Sequence, residues 1–402
     1  MRSKSDSTVM SLMISLVRWF FSYYSIPMGK HNDRPVIGVF SKQLDNWTSG
    51  SGHHLNEIMK RVVAMNRRFR FVFIHYKPSE NPIYREVEEL IIPRSPLAAA
   101  RVLRKRPFHI LHHTPLTFYS PVWGLPAKRV ATIHGAEQLL VPEYYGAVEM
   151  AHERFLVPVY ARRMHHIITV SQTSKDFFVK RYRVKPENIT VCYNGFSSAY
   201  RVLDPAEIRA PARLGVRGPF IFHISRFSER KNPWTLLRAF KIFSNRATAA
   251  GEEKPFTLVI GGKGWDDPKV LDFIRREGLD GRVVLAGFLS TQDAVELYNA
   301  AAAFVFPSLA EGFGMPNVEA MACGCPVITS NVFAVPEVVG DAALILQNPR
   351  DPEELAEAMA QVTGDPELRA RLVEAGFRRL PLFDWDESAR KVMGVYEGLL
   401  KD

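Results

Sequence analysis

Short apolar runs alternate along most of the chain with longer stretches of mixed polarity, which predicts strands alternating with helices. In the first half, such runs occur at 35–40, 71–74, 109–112, 129–133, 166–170 and 189–192. In the second half, they occur at 220–224, 256–260, 283–286, 303–306 and 326–329. Continuous apolar runs are typical of parallel strands covered by helices on both faces. The pattern therefore predicts an α/β protein with two doubly wound parallel sheets.

A polar stretch containing prolines, at 197–218, separates the two series and predicts a domain boundary. A chain of 402 residues is also longer than a single hydrophobic core usually grows. We predict one α/β domain over 33–200, a second over 201–380 and a terminal segment over 381–402. Because open α/β sheets bind ligands beyond the carboxyl ends of their strands, two facing domains would enclose one deep cleft.

Residues 1–32 are predicted to be a leader that precedes the first sheet. From Val9 to Ile26 the sequence is largely apolar, with one narrow polar stripe at helical spacing that includes Arg18. An arginine near the middle of the run favours a helix lying in the membrane interface over one that crosses the bilayer. The alternative is a disordered or docked leader. A secretory signal is disfavoured, because no good small-residue cleavage site follows the apolar run.

The formal net charge is +10, and lysines and arginines concentrated between residues 60 and 106 predict a basic face on the first domain. This face favours an anionic partner, either a phosphorylated substrate or an acidic membrane surface, with a merely solvated surface as an equal alternative. Nucleic acid is not expected, because no helix-turn-helix, zinc-finger or RNP pattern occurs. The sequence leaves the oligomeric state open.

The three cysteines make no disulfide framework, which suits a reducing cytoplasm. We expect the protein there, either free or peripheral at the inner face of the membrane. Cys323 and Cys325 lack zinc-site spacing and are predicted to be small buried hydrophobes. Asp384 and Asp386 have the spacing of a metal-binding DxD pair but precede a terminal helix, so capping is the predicted role of this pair and of Asp266–Asp267. We predict neither a metal site nor a cofactor.

The segment from Pro307 to Ala322, directly after a buried strand, carries the most informative pattern. Its glycines let the backbone come close to a ligand, and its proline suits the first turn of a helix. Free amides at that helix start, together with the helix dipole, would favour a diphosphate. The residues predicted here to bind the sugar donor, a molecule that carries this diphosphate, are Gly312, Phe313, Gly314, Met315, Pro316 and Glu319.

Two acids of this segment have separate predicted roles. Glu319, one turn into the helix, is placed to accept hydrogen bonds from the vicinal hydroxyls of a ribose. Glu311, with seven residues between it and Glu319, suits a carboxylate that reaches the transferred sugar. The alternative is an ordinary acid in a first helical turn and an ordinary loop acid, which the whole string makes weak.

Arg226 and Lys231 follow the first strand of the second domain, on one loop at a helix start. Preplaced cations lower the barrier to breaking a sugar–phosphate bond, because negative charge develops on the departing diphosphate. A solvated basic turn is the alternative. We expect the side chains of Arg226 and Glu311 to lie in the open cleft. Replacing either residue by alanine should then remove transfer of the sugar and leave the melting temperature nearly unchanged.

The first domain offers weaker signals on the opposite side of the cleft. Gly50 and Gly52 lie between a strand and a helix, where their amides could meet the donor phosphates. His134 follows the 129–133 strand, which places an imidazole at the carboxyl edge of the sheet, within reach of a sugar hydroxyl. A satisfied structural histidine is the alternative.

Together these residues resemble retaining glycosyltransferases of family 4, which have the GT-B fold of two Rossmann-like domains facing a central cleft. The resemblance rests on Glu311–Glu319, on Ser225–Arg226 with Lys231, and on 327–330, 336–340 and 383–386. It implies metal-independent transfer of a hexosyl group from a nucleotide diphosphate sugar, with UDP or GDP most expected, to a hydroxyl of a glycan, lipid or other acceptor. It implies front-face attack, in which the departing phosphate oxygen helps to remove the acceptor proton.

The resemblance also implies roles for individual residues. Glu319 would hold the ribose, Glu311 the transferred sugar, Arg226 and Lys231 the diphosphate, Gly50 or Gly52 the phosphates from across the cleft, and His134 the sugar near its reacting carbon. A C-terminal helix would cross back to the first domain, and the domains would close on the donor. Gly50 and Gly52 depart from the paired glycine that is common in the family. Two rival functions are a sugar nucleotide epimerase on the same scaffold and a noncatalytic protein that binds nucleotide sugars.

Overall fold

The computed structural model describes residues 34–46, 49–114, 116–117, 120–249 and 255–401, which contain two fully parallel sheets. The first sheet comprises β1 (Val36–Phe40), β2 (Arg70–His75), β3 (Glu88–Ile91), β4 (Ile110–His113), β5 (Lys128–Thr132), β6 (His166–Thr169) and β7 (Ile189–Val191). The second comprises β8 (Phe220–Ile224), β9 (Thr257–Gly261), β10 (Val283–Gly287), β11 (Ala303–Phe306), β12 (Val327–Ser330) and β13 (Ala343–Leu346). The predicted leader, 1–32, lies outside the described residues.

Both sheets have the doubly wound strand order. The first runs β3-β2-β1-β4-β5-β6-β7 and the second runs β10-β9-β8-β11-β12-β13. The order therefore reverses between β1 and β4 in the first sheet and between β8 and β11 in the second. Loops that leave the carboxyl ends of these four strands border the crevice in which such sheets bind ligands.

Helices cover the sheets and connect successive strands. In the first half they are α1 (Gly50–Met65), α2 (Pro96–Leu103), α3 (Glu137–Leu140), α4 (Ala147–Ala151), α5 (Val157–Arg163) and α6 (Gln172–Phe177), with π-helical turns at His152–Leu156 and Phe178–Tyr182. In the second half they are α7 (Ala210–Arg213), α8 (Pro233–Ala249), α9 (Pro268–Arg276), α10 (Thr291–Ala300), α11 (Met315–Ala322), α12 (Val335–Val339), α13 (Pro352–Gly364), α14 (Pro366–Arg379) and α15 (Trp385–Lys401). No helix in the described ranges is long and apolar enough to span a bilayer.

The last helix, α15, returns to the first domain and packs into its core. Trp385, Val392 and Tyr396 are buried together with residues of β1, β2 and α1. The Tyr396 hydroxyl lies 2.6 Å from Nδ1 of His112 on β4. Gly195, where the chain passes from the first sheet to the second, lies so close to Trp385 that a Cβ there would sit 2.5 Å from its backbone nitrogen. The crossing of the terminal helix is thus confirmed.

The predicted fold class is confirmed, with two differences in the elements. The edge strands β3 and β13 were not predicted: β3 begins with two glutamates, and the apolar run of β13, Ala-Leu-Ile-Leu, was overlooked. The stretch 197–218 is not an extended linker: Leu203, Ala210 and Val216 belong to the core of the second domain. Cys323 and Cys325 are buried, as predicted, and Asp384 and Asp267 accept capping bonds from Asp386 N and Lys269 N. The exact domain bounds stay a prediction.

Candidate functional site

Residues 307–314, directly after β11, form a tight loop that leads into α11. This loop is called the donor loop below, because its residues were predicted to bind the sugar donor. Gly314 caps the helix in the left-handed region, with φ of 88°, where a side chain would be strained. Pro316 occupies the first turn of α11, as predicted. The side chain of Phe313 is buried and packs at right angles to Phe383, with 5.7 Å between ring centroids. Phe313 therefore anchors the loop in the core, and only its backbone is available to a ligand.

Glu311 lies at the centre of a cluster of donors that all reach one of its oxygens. Oε1 accepts hydrogen bonds from Lys231 Nζ at 2.5 Å, from Ser308 Oγ at 2.5 Å and from Arg230 Nη1 at 2.9 Å. Burial alone would raise the pKa of Glu311, but the charges of Arg230 and Lys231 lower it to about 2. The carboxylate is therefore ionised at neutral pH.

The expectation that Glu311 lies in the open cleft is wrong, since its exposed fraction is only 8%. The loop after β11 folds against the loop after β8, and the three donors enclose the acid. Arg226 is exposed, as expected, and it makes no ion pair with any described residue. The two predicted cations therefore differ: Lys231 holds Glu311, whereas the guanidinium of Arg226 is free to meet an anion.

Backbone contacts tie the loops after β8 and β11 together. Leu309 N donates to Arg230 O at 2.9 Å, and Asn232 Nδ2 donates to Pro307 O at 3.1 Å. Asn232 itself is in the left-handed region, with φ of 62°. These bonds hold the loop that bears Arg226 and Lys231 against the loop that bears Glu311, at the carboxyl edge of the second sheet beside the β8–β11 reversal.

Glu319 lies in α11 beside two tyrosines. The hydroxyl of Tyr298 donates to Glu319 Oε2 at 3.2 Å, and the hydroxyl of Tyr200 is a second donor. Burial raises the pKa of Glu319 to about 7 even though both tyrosines oppose the shift. The carboxylate is half-buried rather than enclosed, so it remains able to accept from a pair of adjacent hydroxyls.

The start of α1 brings the first domain to the same place. A Cβ at Gly50 would lie 3.6 Å from the terminal carbon of Met315, across the cleft. Gly52 is committed elsewhere: its amide donates to Ser49 Oγ at 3.1 Å, and a Cβ there would meet the carbonyl oxygen of Asn46. Of the two predicted glycines, Gly50 is the one beside the donor loop.

His134 also faces the second domain, after β5. Its ring packs edge-on against His54, with 4.8 Å between ring centroids, and His54 in turn lies 2.6 Å from Asn194 Oδ1. Burial lowers the pKa of His134 to about 4, so the imidazole is neutral near pH 7. The carbonyl oxygen of His134 would lie 2.8 Å from a Cβ at Gly312. His134 therefore borders the donor loop directly.

A segment of the first domain, residues 134–145, closes over the donor loop. Val141 forms a small apolar cluster with Leu309 and Ala310. Farther along, Arg350 of the second domain pairs with Glu143 Oε1 at 2.5 Å. The contact of Val141 with Leu309 and Ala310 therefore covers the site on one side and can exclude water from it, whereas the Arg350–Glu143 pair lies outside the site.

Glu337, in α12 of the second domain, fastens the two domains at a second place. Its carboxylate accepts from Gln172 N at 2.6 Å, from Thr173 N at 2.7 Å and Thr173 Oγ1 at 2.6 Å, and from the Tyr193 hydroxyl at 2.8 Å. Three of these four donors lie at the start of α6 in the first domain. The cluster formed by Glu337, Gln172, Thr173 and Tyr193 is called the interdomain clasp below.

Sequence reasoning missed Arg230, Ser308 and Glu337 as parts of this arrangement. Arg230 and Glu337 stand inside strings that were singled out, but the strings do not show which side chains face the other domain. Across the described residues, no group of three or more His, Cys, Asp or Glu side chains is arranged to hold a metal ion.

Comparison with known proteins decides the family. Residues 204–379 match the family described as Glycosyl transferases group 1, and residues 54–200 match Glycosyltransferase Family 4. The chain is a glycosyltransferase of family 4 with the GT-B fold. The two matches divide close to residue 200, where the chain passes from the first sheet to the second.

Relatives of this glycosyltransferase include mannosyltransferases. It is 28% identical over 327 residues to the O-antigen chain mannosyltransferase B of Escherichia coli, which covers 79% of this chain and 80% of the relative. It is 25% identical over 299 residues, 72% of this chain, to the serotype-specific mannosyltransferase WbdA of Escherichia coli, of which it spans only 36%. Among solved structures, Anabaena HepE in complex with UDP and glucose has the same fold, with a TM-score of 0.72 at 20% identity over 91% of this chain and 100% of HepE.

Proposed function

We propose that this glycosyltransferase transfers a hexosyl group from a nucleotide diphosphate sugar to a hydroxyl of a glycan or lipid acceptor, with retention of the anomeric configuration. The observation that carries the proposal is that hydrogen bonds join the loop after β8, which bears Arg226 and Lys231, to the loop after β11, which bears Glu311 and leads into α11. An exposed arginine and free amides at a helix start suit a diphosphate.

The donor is proposed to lie along α11, with Glu319 accepting hydrogen bonds from the ribose and Glu311 from the transferred sugar. Glu311 Oε1 is occupied by three donors, so Oε2 is the oxygen left for a sugar hydroxyl. Gly50 approaches the diphosphate from the first domain. Because HepE is bound to UDP and glucose in its structure and one relative is a mannosyltransferase, UDP-glucose and GDP-mannose are the donors to test first.

The chemical step is proposed to need no metal and no protein nucleophile. Arg226, Lys231 and the amides at the start of α11 would stabilise the charge that develops on the departing diphosphate. A diphosphate oxygen would take the proton of the acceptor hydroxyl as that hydroxyl attacks from the same face. His134, neutral near pH 7, would donate or accept one hydrogen bond near the reacting carbon without adding charge.

The acceptor is proposed to enter over the first domain. A groove of about 820 Å³ lies there between α1 and the segment after β2, and its lining includes Asp45, Asn56, Lys60 and Glu86. Charged groups of both signs, together with the Asn56 amide, suit the many hydroxyls of a glycan.

We also propose that the first domain meets an anionic membrane surface. Deleting residues 1–28 would then weaken binding to anionic vesicles without loss of activity, and unchanged vesicle binding would refute the anchor.

Incubation with labelled UDP-glucose or GDP-mannose and a set of glycoside acceptors tests the proposal. Transfer predicts a labelled glycoside, whose one-bond carbon–proton coupling at the anomeric centre reports retention. A labelled epimer of the donor with no glycoside would instead indicate the epimerase. Binding without turnover, unchanged in Glu311→Ala, would indicate the noncatalytic protein.

A further inference from the structure

A carboxylate of the first domain, Glu137, lies against the donor loop and has no role in the function described so far. Glu137 is the first residue of α3 and is half-buried. A Cβ at Gly312 would lie only 2.6 Å from its Oε1, and one at Gly135 would lie 3.1 Å from its Oε2. Glycine at both positions is what allows the carboxylate to occupy the space between the loop after β5 and the loop after β11.

The groups near Glu137 shift its pKa in opposite directions. Burial raises the pKa of Glu137, and Glu311 raises it further, whereas the charge of Arg230 and the backbone amide of Gly312 oppose the shift. Arg230, however, is hydrogen-bonded to Glu311, and Glu137 makes no ion pair with any described residue. Glu137 is thus a carboxylate with acceptor capacity left over, whereas Oε1 of Glu311 is already surrounded by donors.

The location of the Glu137 carboxylate limits which groups its oxygens can bind. An anionic diphosphate would be repelled by a carboxylate, and its own place is at Arg226 and the start of α11. A sugar hydroxyl is a donor, and a carboxylate is an acceptor-only group with two oxygens. The loop that Glu137 touches at Gly312 begins with Glu311, the residue assigned to the transferred sugar.

We propose that Glu137 is a sugar-binding residue of the donor site: its carboxylate accepts a hydrogen bond from a hydroxyl of the transferred sugar, on the side opposite Glu311. The sugar is then held between one acid of each domain, so that recognition of the sugar depends on both domains. This role rests on the proposed function, because it requires that a nucleotide sugar occupies the cleft.

The test distinguishes a loss of affinity for the sugar from a loss of affinity for the nucleotide. Titration calorimetry compares wild type and Glu137→Ala with two pairs of ligands, UDP-glucose against UDP and GDP-mannose against GDP. For the pair that binds the wild type, the variant should bind the sugar nucleotide about tenfold more weakly, the usual effect of losing one hydrogen bond to a charged group. Its affinity for the free nucleotide should be unchanged.

Glu143→Ala is the matched control, because Glu143 lies on the same segment and also contacts the second domain, through Arg350, but away from the donor loop. This control should bind both ligands like the wild type. Glu137→Gln, which keeps the size of the side chain and one acceptor oxygen, should show a smaller loss and covers the case in which the alanine variant does not fold.

Two results would overturn this role. They are equal weakening of the binding of sugar nucleotide and free nucleotide, and no change in the binding of either. The first would mean that Glu137 merely supports the domain contact. If the wild type binds neither pair while remaining folded, the proposed function itself fails and this role falls with it.

Discussion

Single residues in this site carry charge states that their surroundings impose. Glu311 stays ionised because Arg230 and Lys231 overcome its burial, whereas burial raises the pKa of Glu319 to about 7. Two acids separated by seven residues on one loop and helix therefore behave differently. Their difference follows from one having cationic neighbours and the other having only tyrosine hydroxyls.

Glu311→Gln and Arg226→Ala are expected to separate stability from activity. Glu311→Gln leaves two partly buried cations without their anion, so the free energy of unfolding should fall by about 3 kcal/mol as activity is lost. Arg226 is exposed and unpaired among the described residues, so its loss should reduce kcat by about 100-fold and leave stability unchanged. Urea unfolding and turnover of both variants check this. Equal stability of the two variants would contradict the burial of Glu311.

Glu319 predicts a pH dependence of stability for the chain without nucleotide. Its pKa is about 7 in the folded chain and near 4.5 in the unfolded chain. Between these values the folded chain holds a proton that the unfolded chain has lost, so this group makes stability fall as the pH rises from 4.5 to 7. Glu319→Gln should remove that part of the decline. Melting curves of the wild type and the variant that stay parallel over this range would contradict the assignment.

Among the elements, the strands predicted from the sequence were those recognised as runs rich in apolar residues, both the buried central strands and the edge strands β7 and β10. The missed strand β3 has the sequence Glu-Glu-Leu-Ile and one buried residue, and β13 has one buried residue as well. Both lie at a sheet edge, but only β3 lacks an apolar run; β13 has the run Ala-Leu-Ile-Leu, which sequence reasoning overlooked. The donor loop was predictable because its glycines and Pro316 follow directly after a buried strand.

The interdomain clasp shows what the sequence could not reveal. Glu337 stands in a segment that resembles the family, yet its four donors come from residues more than 140 positions earlier in the chain. Such a pairing depends on how the two domains meet. The same limit applies to Arg230 and Glu137, whose partners lie on other loops.

Loss of the interdomain clasp is expected to loosen the domains without unfolding either one. Glu337→Ala leaves the amides of Gln172 and Thr173 without their acceptor, so hydrogen exchange at the start of α6 should become faster. Glu353→Ala, which removes an exposed ion pair with Arg246 inside the second domain, is the control and should leave α6 unchanged. Unaltered exchange at α6 in Glu337→Ala would mean that the clasp does not hold the domains.

At the scale of the whole molecule, three connections bring the domains together around the donor loop. Helix α15 returns to the first core, the interdomain clasp joins α12 to α6, and residues 134–145 cover the loop after β11. Loops from β1, β5, β8 and β11 thus meet in one cleft. Sequence reasoning anticipated the cleft and its family, while the covering segment and the clasp required the three-dimensional arrangement.

Hydrogen–deuterium exchange with and without a nucleotide sugar tests the central claim most directly. On addition of UDP-glucose or GDP-mannose, whichever binds, amides in three segments should become protected together: 225–231 after β8, 311–319 of the donor loop and α11, and 49–54 at the start of α1. Protection confined to one domain, or located away from these segments, would contradict a donor site shared by both sides of the cleft.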